Sequence, residues 1–309
     1  MKTKMNITYE VKDNEALTPV SVRAFLRNSC GVSHGLWRRL KWNGTILVNG
    51  EKVKATMATV KVGDKITCIL EEESSIVPRK MPLDIRYEDE YLIVLNKPDG
   101  ILVHPTGGDH DNTLGNGLKY YYQLTGQDID FHPVHRLDRN TTGLVVVAKL
   151  PQLQSALTQP GPRLKGNMQE HNITQKFFHR SYFALVNGTL PQRKGSINLP
   201  IARHPDSIIQ RICSPDGQYA ETHYETVAVN NDKSLIKLEL KTGRTHQIRV
   251  HLASIGYPLL GDDLYGGNHD VINRQALHAY HLEVFNPLNG ETVSVYSDIP
   301  RDMIQAFYK

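Results

Sequence analysis

One carboxylate stands out by its neighbours. Asp138 lies between Arg136 and Arg139 in the stretch 132–149, HPVHRLDRNTTGLVVVAK. Two guanidinium groups beside a carboxylate favour its ionised form, which suits a nucleophile better than a general acid. The turn continues through Asn140, Thr141, Thr142 and Gly143 into an apolar run, 144–148, short and rich in β-branched residues. That pattern predicts a buried strand. A polar turn carried by a rigid core element is where sites tend to be built. Local chemistry alone leaves the bland alternative open, a surface aspartate paired with an arginine beside a core strand.

A second cluster of polar residues occupies KTGRTHQIRVHLASIGYPLLGDDLYGG, 241–267. Gly243 ends a strand predicted over 234–240, Thr245 is placed to cap, and Ile248, Leu252 and Ile255 fall at helical spacing on one buried face. Arg244, His246 and Arg249 are the polar residues at the head of that helix. Upstream, 91–95 reads as a strand running into Asn96-Lys97-Pro98, where Gly100 allows a tight turn. Residues 113–124 read as an amphipathic helix using Leu114, Leu118 and Tyr121 or Tyr122. Residues 151–180 are polar, and 158–174 read as a mobile surface loop near the site. Strands are expected around 179–188, carrying Tyr182, around 197–201 and over 222–229, with a Pro215-Asp216-Gly217 turn. A short helix over 300–307 closes the chain.

Residues 1–80 hold 14 Lys and Arg against 8 Asp and Glu, while the remaining residues hold 22 against 24. A small basic segment beside a near-neutral body reads as a polyanion-binding module next to a catalytic one. Within it, Ile7, Tyr9 and Val11 alternate as an edge strand, and Thr18-Pro19 is placed to open a helix over 20–28. Ser33 can cap a second helix with Leu36, Trp37 and Leu40 on its apolar face and Arg38, Arg39 and Lys41 elsewhere. Asn49-Gly50 marks a hairpin, and a final strand, 66–70, precedes a linker, 71–80.

With 309 residues and 39% apolar content the chain can bury a core without staples. It has no apolar run long enough to span a bilayer and no secretory h-region at its start. Cys30, Cys68 and Cys213 are odd in number and widely spaced, which points to a reduced cytoplasmic compartment and away from structural zinc. His132 and His135 lack an HExxH context, and neither GxGxxG nor a Walker loop occurs, so no metal and no cofactor are expected.

VHRLDRNTTGLVVVAK resembles the catalytic segment of the RluA/RluD-type pseudouridine synthases, with Thr142 where that pattern has Ser. NKPDGILVHP (96–105), HRSYFALVNG (179–188), TGRTHQIRVHLA with GDDLYGG, and RQALHAYHLEVFNP (274–287) resemble further motifs of the family, in its order. Arg180 replaces the usual Lys of the third, and Asn286 the usual His of the last. The family usually crosses the region of 158–174 in fewer residues, so the resemblance implies an insertion there, either an RNA-contacting flap or an idle loop. The resemblance implies an α+β fold with a mixed, largely antiparallel central sheet, flanking helices and a cleft, over 76–309. Residues 1–75, two short helices and a hairpin, resemble a small α/β S4 RNA-binding domain.

The implied activity is isomerisation of uridine to pseudouridine, which needs no redox step. It implies Asp138 as nucleophile at C1′ or at C6 of the ring, Arg249 as its ion-pair partner and Tyr182 as the base-stacking aromatic. His135, Arg136, Arg139, Arg244 and His246, with Arg38, Arg39 and Lys41, are the expected RNA contacts. RNA is the expected partner, ribosomal ahead of transfer RNA, with no membrane and the chain a monomer. A non-enzymatic RNA-binding protein need not keep Asp138, Tyr182 and Arg249 together, and a retaining glycosidase needs a second acid beside Asp138.

Overall fold

Met5, Ile7 and Tyr9 point inward from β1 (Lys2–Glu10), which is therefore a one-sided edge strand. The computed structural model describes residues 2–12, 19–106, 108, 110–158 and 177–309. Next come β2 (Val20–Ser21), α1 (Val22–Asn28), α2 (His34–Asn43), β3 (Gly44–Val48), β4 (Glu51–Lys52), β5 (Thr59–Val60) and β6 (Lys65–Glu73). They form a sheet in the order β1–β6–β3–β4, with β2 pairing β5. Phe25, Leu26, Leu36, Trp37, Leu40 and Ile66 give this unit its own core.

Three readings change here. Thr18 lies outside the described residues, and Ser21 caps α1 by accepting from the Ala24 amide at 3.2 Å. Val20 is held instead as a strand against Val60, which starts the helix later. The linker also starts later, because Glu71, Glu72 and Glu73 stand across from Lys4, Thr3 and Lys2 in the β1–β6 ladder. Ser33 caps α2 as expected, accepting from Leu36 N at 3.2 Å.

The second unit is α+β. Its large sheet contains β7 (Ile85–Glu88), β8 (Leu92–Lys97), β9 (His132–Pro133), β10 (Thr142–Ala148), β11 (Phe178–Asn187), β12 (Lys194–Ile197), β15 (Thr222–Asn230), β16 (Lys233–Leu240), β17 (Leu277–Asn286) and β18 (Glu291–Tyr296). The order is β12–β15–β16–β11–β17–β10–β8–β7, with β9 on β10 and β18 on β17. The β10–β17 contact is parallel and the others are antiparallel. A separate hairpin, β13 (Ile201–Arg203) with β14 (Arg211–Cys213), stands beside the sheet. The expected strand over 197–201 is thus split in two, β12 and β13 pairing with different partners on either side of Pro200.

Every residue of β10 is buried. Val145 and Val147 enter one core and Leu144, Val146 and Ala148 the other, so both faces of the strand are covered and its sequence does not alternate. The helices α3 (Leu114–Leu124), α4 (Pro151–Thr158), α5 (Gln247–Ser254) and α6 (Arg301–Tyr308) flank the sheet. In α3 it is Tyr122, fully buried, that joins Leu114 and Leu118. The polar composition of 151–180 hid α4, whose buried face is Gln152, Leu153 and Leu157. Beyond Thr158, the expected insertion lies outside the described residues up to its predicted end.

Candidate active site

The loop bearing Asp138 leaves β9 and returns to β10 as a tight excursion. Val134 N donates to Val146 O at 3.1 Å, and Val146 N donates to the Nε2 of His135 at 3.2 Å, so an imidazole extends the ladder by one bond. The same ring packs against Phe178, with centroids 4.9 Å apart. At the loop's end Gly143 has φ 111°, and a Cβ there would overlap the carbonyl oxygen of Ala279 where β10 meets β17. Glycine is required at this close, left-handed crossing.

From the other side the loop is held by Lys97, 1% exposed at the end of β8. Its Nζ donates to the carbonyls of Pro98, Ile101 and Arg139 at 2.7, 2.9 and 2.8 Å. Burial pulls the Lys97 ammonium down to about 7 while the charges of Asp99 and Asp138 pull it up. Three acceptors around one nitrogen favour the charged amine, which alone has three N–H groups. The sequence predicts a turn at Asn96-Lys97-Pro98, and in the structure Lys97 also reaches the Asp138 loop through the Arg139 carbonyl.

The central arrangement is a guanidinium between two carboxylates. Arg249, in the first turn of α5, donates through Nη1 to Asp138 Oδ2 at 3.0 Å. Its Nε and Nη2 donate to the two oxygens of Asp262 at 2.7 and 2.8 Å. Asp262 is fully buried and Asp138 keeps 20% of its side chain exposed, so one carboxylate anchors the arginine and the other is offered to the cleft. Burial works against the Arg249 charge, but the hydrogen bonds and charge of Asp262, joined by Asp138, outweigh it and raise its pKa. The expected pairing of Arg249 with Asp138 is present; the buried anchor Asp262 was not foreseen. Tyr265 lies 5.1 Å under the Arg249 guanidinium, a cation–π contact.

The approach to α5 is built differently from the reading. Thr245 caps nothing. The residue before the helix is His246, with φ 57° and no side-chain cap bond. Gln247 fixes the turn instead, its Oε1 accepting from Thr242 Oγ1 at 2.8 Å and Arg244 N at 2.9 Å, and its Nε2 donating to Glu221 O and Thr222 Oγ1, both at 3.0 Å. An amide, with both donors and acceptors, can satisfy more of a buried loop than a hydroxyl. The Nδ1 of His246 pairs with Tyr265 Oη at 2.9 Å, and its Nε2 lies 3.9 Å from Asp138 Oδ2.

Two cavities meet at Asp138. The larger, of about 580 Å³, is bordered by Tyr182, Arg180, Phe178, Lys241 and Arg244; the smaller, of about 330 Å³, by His104, Arg139, Ile209 and Gln275. Arg136, Leu137, Asp138, His246 and Arg249 border both. The larger cavity falls within the ordinary range of small-ligand sites. Tyr182 is 3% exposed, and burial, opposed by the Arg180 charge, raises its phenol. Arg136, Arg139 and Arg244 are exposed at the rim; Arg139 also donates to Gly100 O at 3.2 Å and Arg244 to Tyr219 O at 3.0 Å. Arg38, Arg39 and Lys41 are exposed on α2, the charge of Arg39 acts on His132 in β9, and Lys41 lies 4.6 Å over the exposed Trp42 ring. Among the described residues no group of His, Cys, Asp and Glu is placed to hold a metal ion.

The model of the family described as RNA pseudouridylate synthase matches residues 91–254, which contain Asp138, Tyr182 and Arg249. The chain is 39% identical over 277 residues to "Uncharacterized RNA pseudouridine synthase YjbO" of Bacillus subtilis, across 88% of this chain and 93% of that protein. It is 37% identical over 279 residues to "Ribosomal large subunit pseudouridine synthase D" of Haemophilus ducreyi, across 85% and 82%. Among solved structures, "Human RNA Pseudouridylate Synthase Domain Containing 1" is similar in fold, with a TM-score of 0.56 at 23% identity over 70% of this chain and 83% of that one.

Proposed function

The chain belongs to the RNA pseudouridylate synthase family, in its RluA/RluD-type branch, and from that premise we propose that it isomerises a uridine of large-subunit ribosomal RNA with Asp138 as the nucleophile. It is an RNA pseudouridine synthase, an isomerase. The observation carrying the finer reading is the Asp138–Arg249–Asp262 bridge at the junction of the two cavities. The ribosomal target rests on the relatives named as ribosomal large subunit enzymes, which this chain matches over most of its length.

In this reading the target base leaves its stack, at a cost of a few kcal/mol, and enters the larger cavity. Asp138, aimed by Arg249, attacks C1′. The N1–C1′ bond breaks with its electrons going to the uracil. The base turns so that C5 faces C1′, the C5–C1′ bond forms as the carboxylate leaves, C5 loses its proton to solvent and N1 gains one from it, so that the product is an isomer of the starting uridine. Tyr182 stacks on the base as it turns. Arg136, Arg139 and Arg244 at the rim hold the flanking backbone, while His135, expected as an RNA contact, has its Nε2 bonded to Val146 N and its Nδ1 buried and so supports the loop instead.

Residues 1–75 act as an S4-like RNA-binding module through Arg38, Arg39 and Lys41, and 76–309 as the catalytic domain of a cytoplasmic monomer. A retaining glycosidase would place a second, reactive acid beside Asp138. Asp262 does not suit that role, since it is fully buried and both its oxygens accept from Arg249.

The test is a comparison of wild type and Asp138→Asn. Mapping pseudouridines in ribosomal and transfer RNA from cells with and without the protein identifies the target. On that RNA the Asn variant is expected to bind with unchanged affinity and to form no pseudouridine. Turnover above about 1% of wild type would remove Asp138 from the nucleophile's role. Loss of a mapped site in transfer RNA alone would refute the ribosomal assignment.

A further inference from the structure

We infer that His246 is a catalytic residue, its Nε2–H donating a hydrogen bond to a uracil carbonyl oxygen as the N1–C1′ bond breaks. The inference deepens the reading of this site as a pseudouridine synthase and rests on it.

The backbone gives the first reason. Among the described residues three that are not glycine have positive φ: Asn49, Asn231 and His246. The two asparagines sit in hairpin turns, where that side chain tolerates the left-handed region. Histidine, like asparagine, is among the side chains found in this region, but a non-glycine residue there is uncommon and such backbone outliers gather at functional sites. The contacts of Gln247 with Thr242 and Arg244 hold the turn in place around it.

The second reason is direction. Tyr265 Oη accepts from Arg211 N at 3.0 Å, and its other hydrogen-bond partner among the described residues is His246 Nδ1. The phenol hydrogen therefore goes to Nδ1, which assigns the imidazole proton to Nε2. That N–H faces Asp138 from 3.9 Å, too far to be satisfied by the carboxylate. His246 also borders both cavities, so a base presented to Asp138 is presented to this donor as well.

The third reason is charge. Burial pushes His246 down; Asp138 and Asp262 pull it up, and Arg249 and Arg211 push it further down, with the net shift below the ordinary value. Its place at the head of α5 works in the same direction. A neutral imidazole donates without neutralising the nucleophile, whereas an imidazolium would pair with Asp138. As the glycosidic bond breaks, its electron pair moves onto N1 and is shared with the carbonyl oxygens. A fixed donor aimed at that developing charge stabilises the transition state more than the ground state. No proton passes through His246 in this step.

The experiment uses the full-length protein on an RNA that the wild type modifies, measuring the single-turnover rate at saturating RNA, the RNA affinity and Tm. Removing one such donor is expected to slow the reaction about 100-fold or more. His246→Ala and His246→Gly should both show this loss with little change in RNA affinity. His246→Gly should melt no lower than His246→Ala, because glycine accepts the left-handed backbone. His246→Gln, whose amide can place an N–H near the position of Nε2, should recover at least about tenfold of the rate. A wild-type rate for His246→Ala at saturation, a defect confined to RNA affinity, or a Gln variant no faster than Ala would each overturn the inference. A wild type that modifies no RNA would instead refute the enzymatic reading, and the inference with it.

Discussion

Replacing Arg249 with alanine removes one guanidinium and leaves two carboxylates without their partner, in very different surroundings. Asp262 has no solvent exposure and loses both its bonds, at 2.7 and 2.8 Å; Asp138 is 20% exposed and loses one, at 3.0 Å. Breaking a buried pair by removing one member costs about 3–5 kcal/mol, a large part of the roughly 5–15 kcal/mol of a typical domain. With a urea slope of about 2–3 kcal/mol/M, the unfolding midpoint of Arg249→Ala should fall by about 1–2 M. The rate should fall too, so the single variant cannot separate folding from catalysis. A double variant can. Arg249→Met with Asp262→Leu replaces the buried pair by apolar groups of similar size, a change that is often neutral or stabilising. It should regain most of the lost midpoint while its single-turnover rate stays about 100-fold or more below wild type, because Asp138 still lacks its partner. A double variant within about tenfold of wild-type rate would refute the role given to Arg249, and Arg249→Ala destabilised by less than about 1 kcal/mol would refute the role given to Asp262.

Three further outcomes follow from the same geometry. Lys97→Met strips three carbonyls of their donor and should cost about 2–4 kcal/mol in urea unfolding, with a lower rate because the Arg139 carbonyl is one of the three; unchanged stability would show that Lys97 does not hold the loop. Removing residues 1–75 should weaken binding to structured RNA and flatten its salt dependence, since the chain's positive excess lies in that part; equal affinity and slope would exclude it as an RNA module. His278 is 1% exposed, and burial, aided by the Arg274 charge, pushes it down to about 4. Its folded value lies below its unfolded one, so its contribution is complete above about pH 6.5 and is lost as pH falls toward 4, by on the order of 3 kcal/mol. His278→Asn should flatten stability against pH in that window, and an unchanged slope would refute the assignment.

How much of this was legible in the sequence depended on whether a residue acts within its own element. The run 144–148 predicts a buried strand because five apolar side chains in a row have no other use, and β10 is buried on both faces. Ser33 before an apolar helix face predicts its own cap, and the cap bond is there. Where a local signal competed with a distant partner, the distant partner decided. Residues 71–73 read locally as a solvated tether, but their backbone pairs with residues 2–4 in the β1–β6 ladder. Thr245 looked like a cap until Gln247 held the turn with an amide and left the helix to start from a left-handed histidine. Lys97 looked like a turn lysine, and nothing local could show three carbonyls closing around it.

The charge on Asp138 makes the same point for the chemistry. Along the chain its nearest cations are Arg136 and Arg139, which suggested that they keep it ionised. In space both arginines are exposed at the rim, where water screens them, and the cation bonded to Asp138 is Arg249, 111 residues further along. A partly buried guanidinium is weakly screened, and here it is fixed from behind by a fully buried carboxylate that cannot turn away. The pairing depends on tertiary structure, because the orientation of Arg249 is set by Asp262, and Asp262 reaches it only through the turn after α5. Family resemblance could name Arg249 from its motif, but only the fold brings the buried Asp262 against the same guanidinium, which is why removing this arginine is expected to cost folding as well as rate.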